Sequence, residues 1–303
     1  MSEAGLPAGL SPSRHMRSVF LRELRGVKLE GDTREPGVVR KEDLEPLPAT
    51  ARRFLLSAGV LARPRTWSVR AHATGAFRLA PDKPWMDCEA WQYGTCLGVR
   101  RVFHMRLRLL GFVPMLVRDT YAEGRGHMLG RVMDAISVVD EVDDRVTTGE
   151  LVTYLNDAIF LAPAMLLRPA VTWTEVDDGS FDVALTDHGR TVAARVYVDP
   201  EGRVTDFSTI DRWISLPGDP PRWTRARWST PVHGWRTVHG RTIARGGRAV
   251  WHLPPGAFSA GANGGTPVPD VVAEGEARGA LEEFAYADLT FDRVEFDVLP
   301  DSA

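Results

Sequence analysis

The sequence predicts a mainly β fold, an antiparallel half-barrel or barrel that wraps around one central helix. Strands with period-two alternation begin at Trp67, one long helix interrupts them, and explicit turn sequences separate the strands that follow. Nine tryptophans are spread over nearly all of these strands, and most are expected to fill a β core. The 303 residues divide into an N-terminal arm, residues 1–45, and a single β domain, residues 46–300.

The first elements follow from local patterns. The arm is rich in charge, Gly and Pro, and we expect it to be irregular or partly helical. The stretch "LEPLPATARRFLLSAGV" predicts a short helix with Pro48 in its first turn and Gly59 at its end. In "VFHMRLRLL", alternation places apolar side chains on one strand face and His104, Arg106 and Arg108 on the other.

The long helix is predicted at about residues 148–167, in "TTGELVTYLNDAIFLAPAMLL". Thr147 and Glu150 have the spacing of a capping box, and Pro163 should end or kink the helix. A strand meander follows, with the turn sequences "DDG", "DHG", "DPEG", "HG" and "GG". Residues 254–279 are rich in Gly, Pro and Ala, which predicts a long flexible loop.

Composition limits the partners. The net charge of −3 shows no basic excess, which argues against nucleic acid or an anionic membrane surface as the partner. Cys88 and Cys96 lack CxxC spacing, which favours a reducing compartment over a disulfide framework. The N-terminal residues contain no apolar core of signal-peptide length, and no segment approaches a membrane-spanning length. We therefore expect a soluble cytoplasmic protein, and the sequence indicates no oligomeric state.

The stretch "RDTYAEGRGHMLG", residues 118–130, has three glycines but does not fit a phosphate loop. A dinucleotide fingerprint needs glycine where Leu129 stands, and a strand-like sequence follows instead of a helix. No GKS or GKT, no HxxxH or HExxH and no GxSxG occurs in the chain. We therefore expect neither a cofactor nor a metal site, and expect these glycines to form a β turn and let strands bend.

Acids and phenols on the strands are the candidate catalytic groups. Glu89, Trp91 and Tyr93 share one strand face, and Asp119 and Tyr121 share another. If these strands line a barrel interior, the carboxyl groups stand beside aromatic walls. Such a setting raises a carboxyl pKa towards general acid or base catalysis. The candidate catalytic residues are therefore Asp119, Tyr121 and Glu89.

Aromatic and basic side chains supply the candidate substrate-binding residues: Trp91, Tyr93, Arg106, Arg125, Tyr154 and Phe160. An alternative reading gives the acids a purely structural role. They would then be buried polar groups neutralised by arginines such as Arg106 or Arg118.

Several segments also resemble a known family. They are "LEPLPATARRFLLSAGV", "GAFRLAPDKPWMDCEAWQY", "VRDTYAEGRGHMLGRV", "GELVTYLNDAIFLAPAMLL" and "RWSTPVHGWRTVHGRTIARGGRAVWHLPPGAF". In this order they resemble a large bacterial family, one of the numbered domains of unknown function, over about residues 45–258. The resemblance implies a curved antiparallel sheet folded around the helix, similar to the open barrels of lipoprotein carriers or lipocalins. It implies no established reaction.

The sequence departs from that family pattern in two places. Many relatives carry membrane segments ahead of this domain, and this sequence shows none. The family helix usually reads Arg-Tyr-Leu-x-Glu followed by Trp and Pro-Thr-Ala, where this chain has Thr153, Tyr154, Leu155, Asp157 and Phe160. Loss of the Arg and the Trp predicts a differently shaped and more apolar pocket.

Three functions fit these observations. The first is a cofactor-independent enzyme of cyclase or isomerase type that binds a bulky hydrophobic metabolite, such as a polyketide, in natural-product biosynthesis. The second is a non-catalytic carrier of a lipid or another hydrophobic ligand, and the third is a structural interaction module. We expect the first. A barrel packed solid between Trp91, Tyr121 and the long helix would exclude it.

Overall fold

A large antiparallel sheet and one buried helix make up most of the chain. The computed structural model describes residues 12–31, 37–109, 111–132, 136–218, 221–259, 271–272, 281–300 and 302. The helices are α1 (Pro12–Leu24), α2 (Lys41–Leu44), α3 (Ala49–Ser57) and α4 (Asp144–Leu161), with a 3₁₀ helix at Pro163–Leu166. The strands of the first half are β1 (Ser68–Phe77), β2 (Met86–Thr95), β3 (Arg100–Leu109), β4 (Val113–Ala122), β5 (Arg125–Val132) and β6 (Ile136–Glu141).

The second half of the chain supplies the remaining strands. They are β7 (Val171–Asp177), β8 (Ser180–Asp187), β9 (Arg190–Val198), β10 (Val204–Thr209), β11 (Trp213–Leu216), β12 (Arg222–Ser229), β13 (Trp235–Val238), β14 (Arg241–Ala244), β15 (Gly246–Leu253), β16 (Val271–Val272) and β17 (Glu282–Phe296). Most of the loop predicted at 254–279 lies outside the described residues.

The strands pair in the order β6-β5-β4-β3-β2-β1-β17-β15-β12-β10-β9-β8-β7. Every pairing along this path is antiparallel, with β11 and β16 added beside β12 and a separate β13–β14 hairpin. The edge strands β6 and β7 are consecutive in the chain, and α4 connects them. Helix α4 contacts β2 to β5 from one half of the sheet, β9, β10 and β11 from the other, and β14 of the separate hairpin. The sheet therefore curves around the helix, and the predicted fold class is confirmed.

Helix α4 begins earlier than the sequence predicts. Asp143 is its N-cap, and the Asp143 carboxylate accepts a hydrogen bond from the Val146 amide at 2.9 Å. Thr147 and Glu150 lie inside the helix, so the predicted capping box between them is wrong. Asp143 already accepts a hydrogen bond from a backbone amide of the first turn. The Glu150 side chain is therefore available to other partners. The helix ends at Leu161, just before Pro163 starts the 3₁₀ turn.

Burial on all sides fixes α4 at the centre of the fold. Fourteen of its 18 residues are buried, including Leu151, Leu155 and Ile159. These side chains pack in one apolar core with Phe181 and Phe207 of the second half. Full burial of one such side chain stabilises the fold by about 1.5–3 kcal/mol. A helix that is apolar nearly all round requires this kind of enclosure.

A second apolar cluster covers the concave face of the first half. It includes Cys88 on β2, Phe103 and Leu107 on β3, and Met115 on β4. The cluster is separate from the core around α4. Polar residues of β3 and β4 lie between the two cores, and they position the site described below.

Helix α1 covers part of the convex face. Its residues Phe20 and Leu24 are buried against Trp91 and Tyr93 of β2. Residues 1–11 and 32–36 of the predicted arm lie outside the described residues. Where α1 packs on β2 and β3, the sheet is therefore buried on both faces.

The glycines of "RDTYAEGRGHMLG" have different roles in the β4–β5 hairpin. Glu123 and Gly124 both have positive φ, 53° and 72°, as the two central residues of a type I′ turn do. Gly126 lies against the first turn of α4, where an added Cβ would stand 2.6 Å from Thr147 Cα. Gly130 precedes a register shift between β5 and β6. The stretch is a hairpin that makes room for the helix.

Candidate functional site

A cavity lies on the concave face between the two cores. Its volume is about 150 Å³, and it opens to solvent. The consecutive strands from β4 to β12 in the pairing order and helix α4 contribute to its walls. Its lining residues are Phe77, Gln92, Arg101, Phe103, Met105, Asp119, Thr153, Asn156, Asp157, Phe160, Arg212, Trp228, Thr230, Gly247, Arg248, Ala249, Tyr286, Ala287, Leu289 and Phe291.

Most of the cavity wall is apolar. Phe103 and Met105 come from β3, Phe291 and Leu289 from β17, and Trp228 from β12. Strand alternation explains this wall, because residues two apart on one strand point to the same face. Such a wall favours the carbon skeleton of a ligand over water.

One end of the cavity carries charged groups, which we call the acid–arginine cluster: Arg101, Asp119, Glu150, Asp157 and Arg212. Arg101 Nη1 donates to Glu150 Oε2 and Arg101 Nε donates to Asp157 Oδ2, each at 2.8 Å. Glu150 and Asp157 are seven residues apart on α4, about two helical turns, and therefore present their carboxylates on the same face.

Asp119 is the member of the cluster with an open acceptor. Its Oδ1 atom is buried and has no hydrogen-bond partner among the residues that the structure describes. Burial raises the pKa of Asp119, although the positive charges of Arg101 and Arg212 oppose that shift. An unpaired carboxylate oxygen in such a place is costly, and a ligand that donates a hydrogen bond to it would offset that cost.

The other two acids are also shifted towards the protonated form. Burial and the negative charge of Asp119 raise the pKa of Glu150 to about 8, despite its ion pair with Arg101. Burial likewise raises the pKa of Asp157, against the opposing effect of Arg101. Burial therefore favours a bound proton in this cluster.

Arg212 completes the charged end from the segment between β10 and β11. Its guanidinium carbon is 4.3 Å from the centre of the Trp228 ring, and its Nη1 donates to Thr153 Oγ1 at 3.1 Å. The Arg212 guanidinium thus lies between the Trp228 ring and α4, which fixes it in the cavity wall.

The structure brings only part of the predicted site together. Asp119 and Phe160 line the cavity. Tyr121 points to the same face but donates its hydroxyl to Asp187 Oδ2 at 2.7 Å, outside the cavity lining. Tyr154 is buried in the core around α4, also outside the lining. Arg125 is exposed at the β4–β5 hairpin.

Glu89, Trp91, Tyr93 and Arg106 do not share a cavity with Asp119. They lie on the convex face, because the alternate residues of β2, including Gln92, point towards α4. Glu89 accepts hydrogen bonds there from Arg106 at 2.9 Å and from His72, whose Nε2 is 3.1 Å from Glu89 Oε1. Trp91 and Tyr93 pack against α1. The expectation that these residues and Asp119 line one interior is corrected accordingly.

The sequence reasoning missed the arginines that organise the site. Arg101 stands two residues before Phe103, in phase with the apolar face of β3. A basic residue on the apolar face of a strand needs a buried partner, and this pattern could have identified Arg101 from the sequence. Arg212 follows a strand and precedes a short one, and nothing in its local pattern separates it from a surface arginine.

Metal-binding groups are not apparent in the described part of the chain. No set of three His, Cys, Asp or Glu side chains there is arranged to hold a metal ion. Cys88 and Cys96 are both free thiols. No helix among the described segments is both long and apolar enough to cross a membrane.

Comparison with known proteins gives a family match and weak structural likenesses. A family model described as "Family of unknown function (DUF6544)" matches residues 37–262, which confirms the resemblance found in the sequence. No curated protein matches the chain. A DUF1329 family protein from Desulfovibrio piger is similar in structure with a TM-score of 0.39 and 8% identity, over 86% of this chain and 95% of that chain.

A second solved structure is a domain from Vibrio parahaemolyticus, provisionally assigned as an outer membrane lipoprotein-sorting protein. Its TM-score is 0.34 and its identity 8%, over 76% of this chain and 85% of that chain.

Proposed function

Because the chain belongs to the DUF6544 family, whose function is unknown, we propose its function from the cavity: it binds a small, largely apolar molecule that donates a hydrogen bond to Asp119. The unpaired Asp119 Oδ1 atom, buried beside an apolar wall, is the observation that carries this proposal. An acceptor in that position selects a hydroxyl or N–H group, while the wall binds the remaining carbon skeleton.

Cavity size limits the ligand. An engineered apolar cavity of about 150 Å³ binds benzene, so the enclosed part of this cavity suits a single ring or a short branched chain. A bulky polyketide would have to extend through the solvent-open mouth. The proposed ligand is therefore smaller than the one expected from the sequence. An unfilled, mixed-polarity cavity also disfavours a purely structural module.

Catalysis is a second candidate function, favoured by the raised pKa of Asp119. As a general base, the Asp119 carboxylate would take a proton from one carbon of a bound carbonyl compound and return it to another carbon. The product is an isomer, so atoms and charge balance without a cofactor. The sequence-based expectation of a cyclase or isomerase is kept in this narrower form, and a carrier remains the function if no proton is transferred. We also keep the proposal that the protein is cytoplasmic.

Binding can be tested with N-phenyl-1-naphthylamine, a neutral fluorescent probe that has two apolar ring systems and one N–H donor. We expect saturable 1:1 binding to the wild-type protein. Ala287→Trp places an indole in the cavity wall and should abolish binding. Ala193→Trp is the matched control, because Ala193 is an exposed strand residue outside the lining. Binding that is equal in both variants, with unchanged unfolding, would contradict the proposal.

Proton transfer has its own test. Cyclohex-3-enone isomerises to cyclohex-2-enone by loss and return of one proton, and the conjugated product absorbs in the ultraviolet. If Asp119 is a general base, the wild-type protein accelerates this reaction and Asp119→Asn lowers the acceleration about 100-fold or more. A wild-type rate equal to the rate in buffer would exclude the catalytic function and leave the binding function.

A further inference from the structure

The strongest unassigned feature of the cavity is the Arg212 guanidinium. We propose that the ligand is a small apolar hydroxy acid, and that Arg212 binds its carboxylate while Asp119 accepts from its hydroxyl. This inference rests on the proposed function and adds the chemical class of the ligand. It concerns a second polar group of the ligand, so it can fail while the binding function stands.

Arg212 is held in place without a direct ion pair to any described residue. Its Nη1 atom donates to Thr153 Oγ1, and its other side faces Trp228. A Cβ added at Gly149 would lie 3.8 Å from Arg212 Nε, so the guanidinium also rests on the backbone of α4. Among the described residues, no carboxylate lies within 4.0 Å of the Arg212 nitrogens. Asp119, Glu150 and Asp157 act on Arg212 at longer range. Its remaining N–H donors are therefore open to a ligand carboxylate in direct contact.

The other arginines of the cavity do have a carboxylate partner. Arg101 donates to both Glu150 and Asp157. Arg248 also lines the cavity, but its Nε atom is paired with Asp288 Oδ2 at 3.0 Å, and its side chain is half exposed. Among the described residues, Arg212 is thus the arginine of this lining with no carboxylate within 4.0 Å, and Arg195, whose ion pair with Asp182 lies outside the lining, provides a control.

The three carboxyl groups of the cluster limit how much negative charge a ligand can bring to Arg212. One carboxylate adds a single negative charge against a planar guanidinium that matches it in a two-point contact. A phosphate dianion would add two negative charges beside three carboxyl groups. The surrounding wall selects an apolar body for the same ligand.

Mandelate and mandelamide test this inference by titration calorimetry at neutral pH. Both have one phenyl ring and one hydroxyl group, and they differ only in the carboxylate and its neutral amide. We expect the wild-type protein to bind mandelate about tenfold or more tightly than mandelamide, because hydrogen bonds to charged groups are the stronger ones. Arg212→Gln should reduce that preference to about twofold or less, and Arg195→Gln, which lies outside the cavity lining, should leave it intact.

Two results would overturn the inference: equal affinity of the wild-type protein for both ligands, or a preference that survives in Arg212→Gln. If N-phenyl-1-naphthylamine still binds in either case, the binding function stands and only the carboxylate assignment is lost. Should Arg212→Gln fail to fold, Thr153→Val is the milder variant. It removes the hydroxyl that positions the guanidinium and should reduce the preference about threefold, whereas an unchanged preference counts against Arg212.

Discussion

The backbone amide of Gly126 donates a hydrogen bond to Thr147 Oγ1 at 3.1 Å, so the first turn of α4 rests directly on strand β5. A Cβ at position 126 would meet Thr147 Cα at 2.6 Å and Val146 O at 2.9 Å, both of them backbone atoms that cannot rotate away. The glycine therefore sets the distance between the helix and the sheet, and with it the position of the acids on α4.

Gly126→Ala is expected to destabilise the fold by about 1–3 kcal/mol, because overpacking forces the helix away from the sheet. Urea unfolding followed by circular dichroism measures the change. Gly94→Ala, also in a strand, is the control, since its Cβ would come no closer than 3.8 Å to any neighbour. Equal midpoints for the two variants would show that the close approach is unimportant.

Arg101→Met should destabilise the protein by about 3–5 kcal/mol, because it leaves Glu150 and Asp157 buried without their cation. The exposed pair of Arg195 and Asp182 offers the comparison, and Arg195→Met should cost less than about 1 kcal/mol. Denaturant titration of both variants gives the two free energies. A loss at Arg101 as small as that at Arg195 would show that the buried acids do not depend on Arg101.

Stability should fall as pH rises from about 5 to about 8, in part through Glu150. Its pKa in the folded protein, about 8, lies above the ordinary value of 4.5, so the folded state binds its proton more tightly than the unfolded state does. This contribution is fully present below pH 4.5 and is lost as pH rises through about 8.

Glu150→Gln keeps the shape of the side chain without the titration. The difference in unfolding free energy between the variant and the wild type should change by up to about 1.4 kcal/mol per pH unit in that window, in favour of the variant at higher pH. Urea unfolding at several pH values measures it. A pH-independent difference would contradict the raised pKa.

Tyr121→Phe should lower the free energy of unfolding by about 0.5–1.5 kcal/mol or somewhat more, because it removes the hydroxyl that donates to Asp187. Binding of N-phenyl-1-naphthylamine should remain within about twofold of wild type, since Tyr121 is not part of the cavity lining. A large loss of binding without a loss of stability would restore Tyr121 to the site.

Local pattern was enough to predict the fold class and to place Asp119 on the same face of β4 as Val117 and Tyr121. These three residues alternate with polar Arg118 and Thr120. Alternation failed on β2, where Trp91 and Tyr93 are as apolar as the opposite face. The reason is that α1 covers the convex face there, so both faces are buried and period-two patterning cannot tell the inside from the outside.

The charged end of the cavity was beyond sequence reasoning for a different reason. Arg101 meets Glu150 and Asp157 across 49 and 56 residues of chain, and no spacing rule links a strand residue to a helix so far away. Arg212 comes from a third segment on the far half of the sheet. Only closure of the sheet around α4 brings the five groups together.

A crystal of the wild-type protein soaked with 4-bromophenol tests the central claim most directly. This ligand has one ring, one hydroxyl donor and a bromine that anomalous scattering locates. The account predicts a bromine peak among Phe103, Trp228 and Tyr286, with the phenol oxygen within hydrogen-bond distance of Asp119 Oδ1. A cavity filled by the protein's own side chains, with bromine found only at the surface, would contradict it.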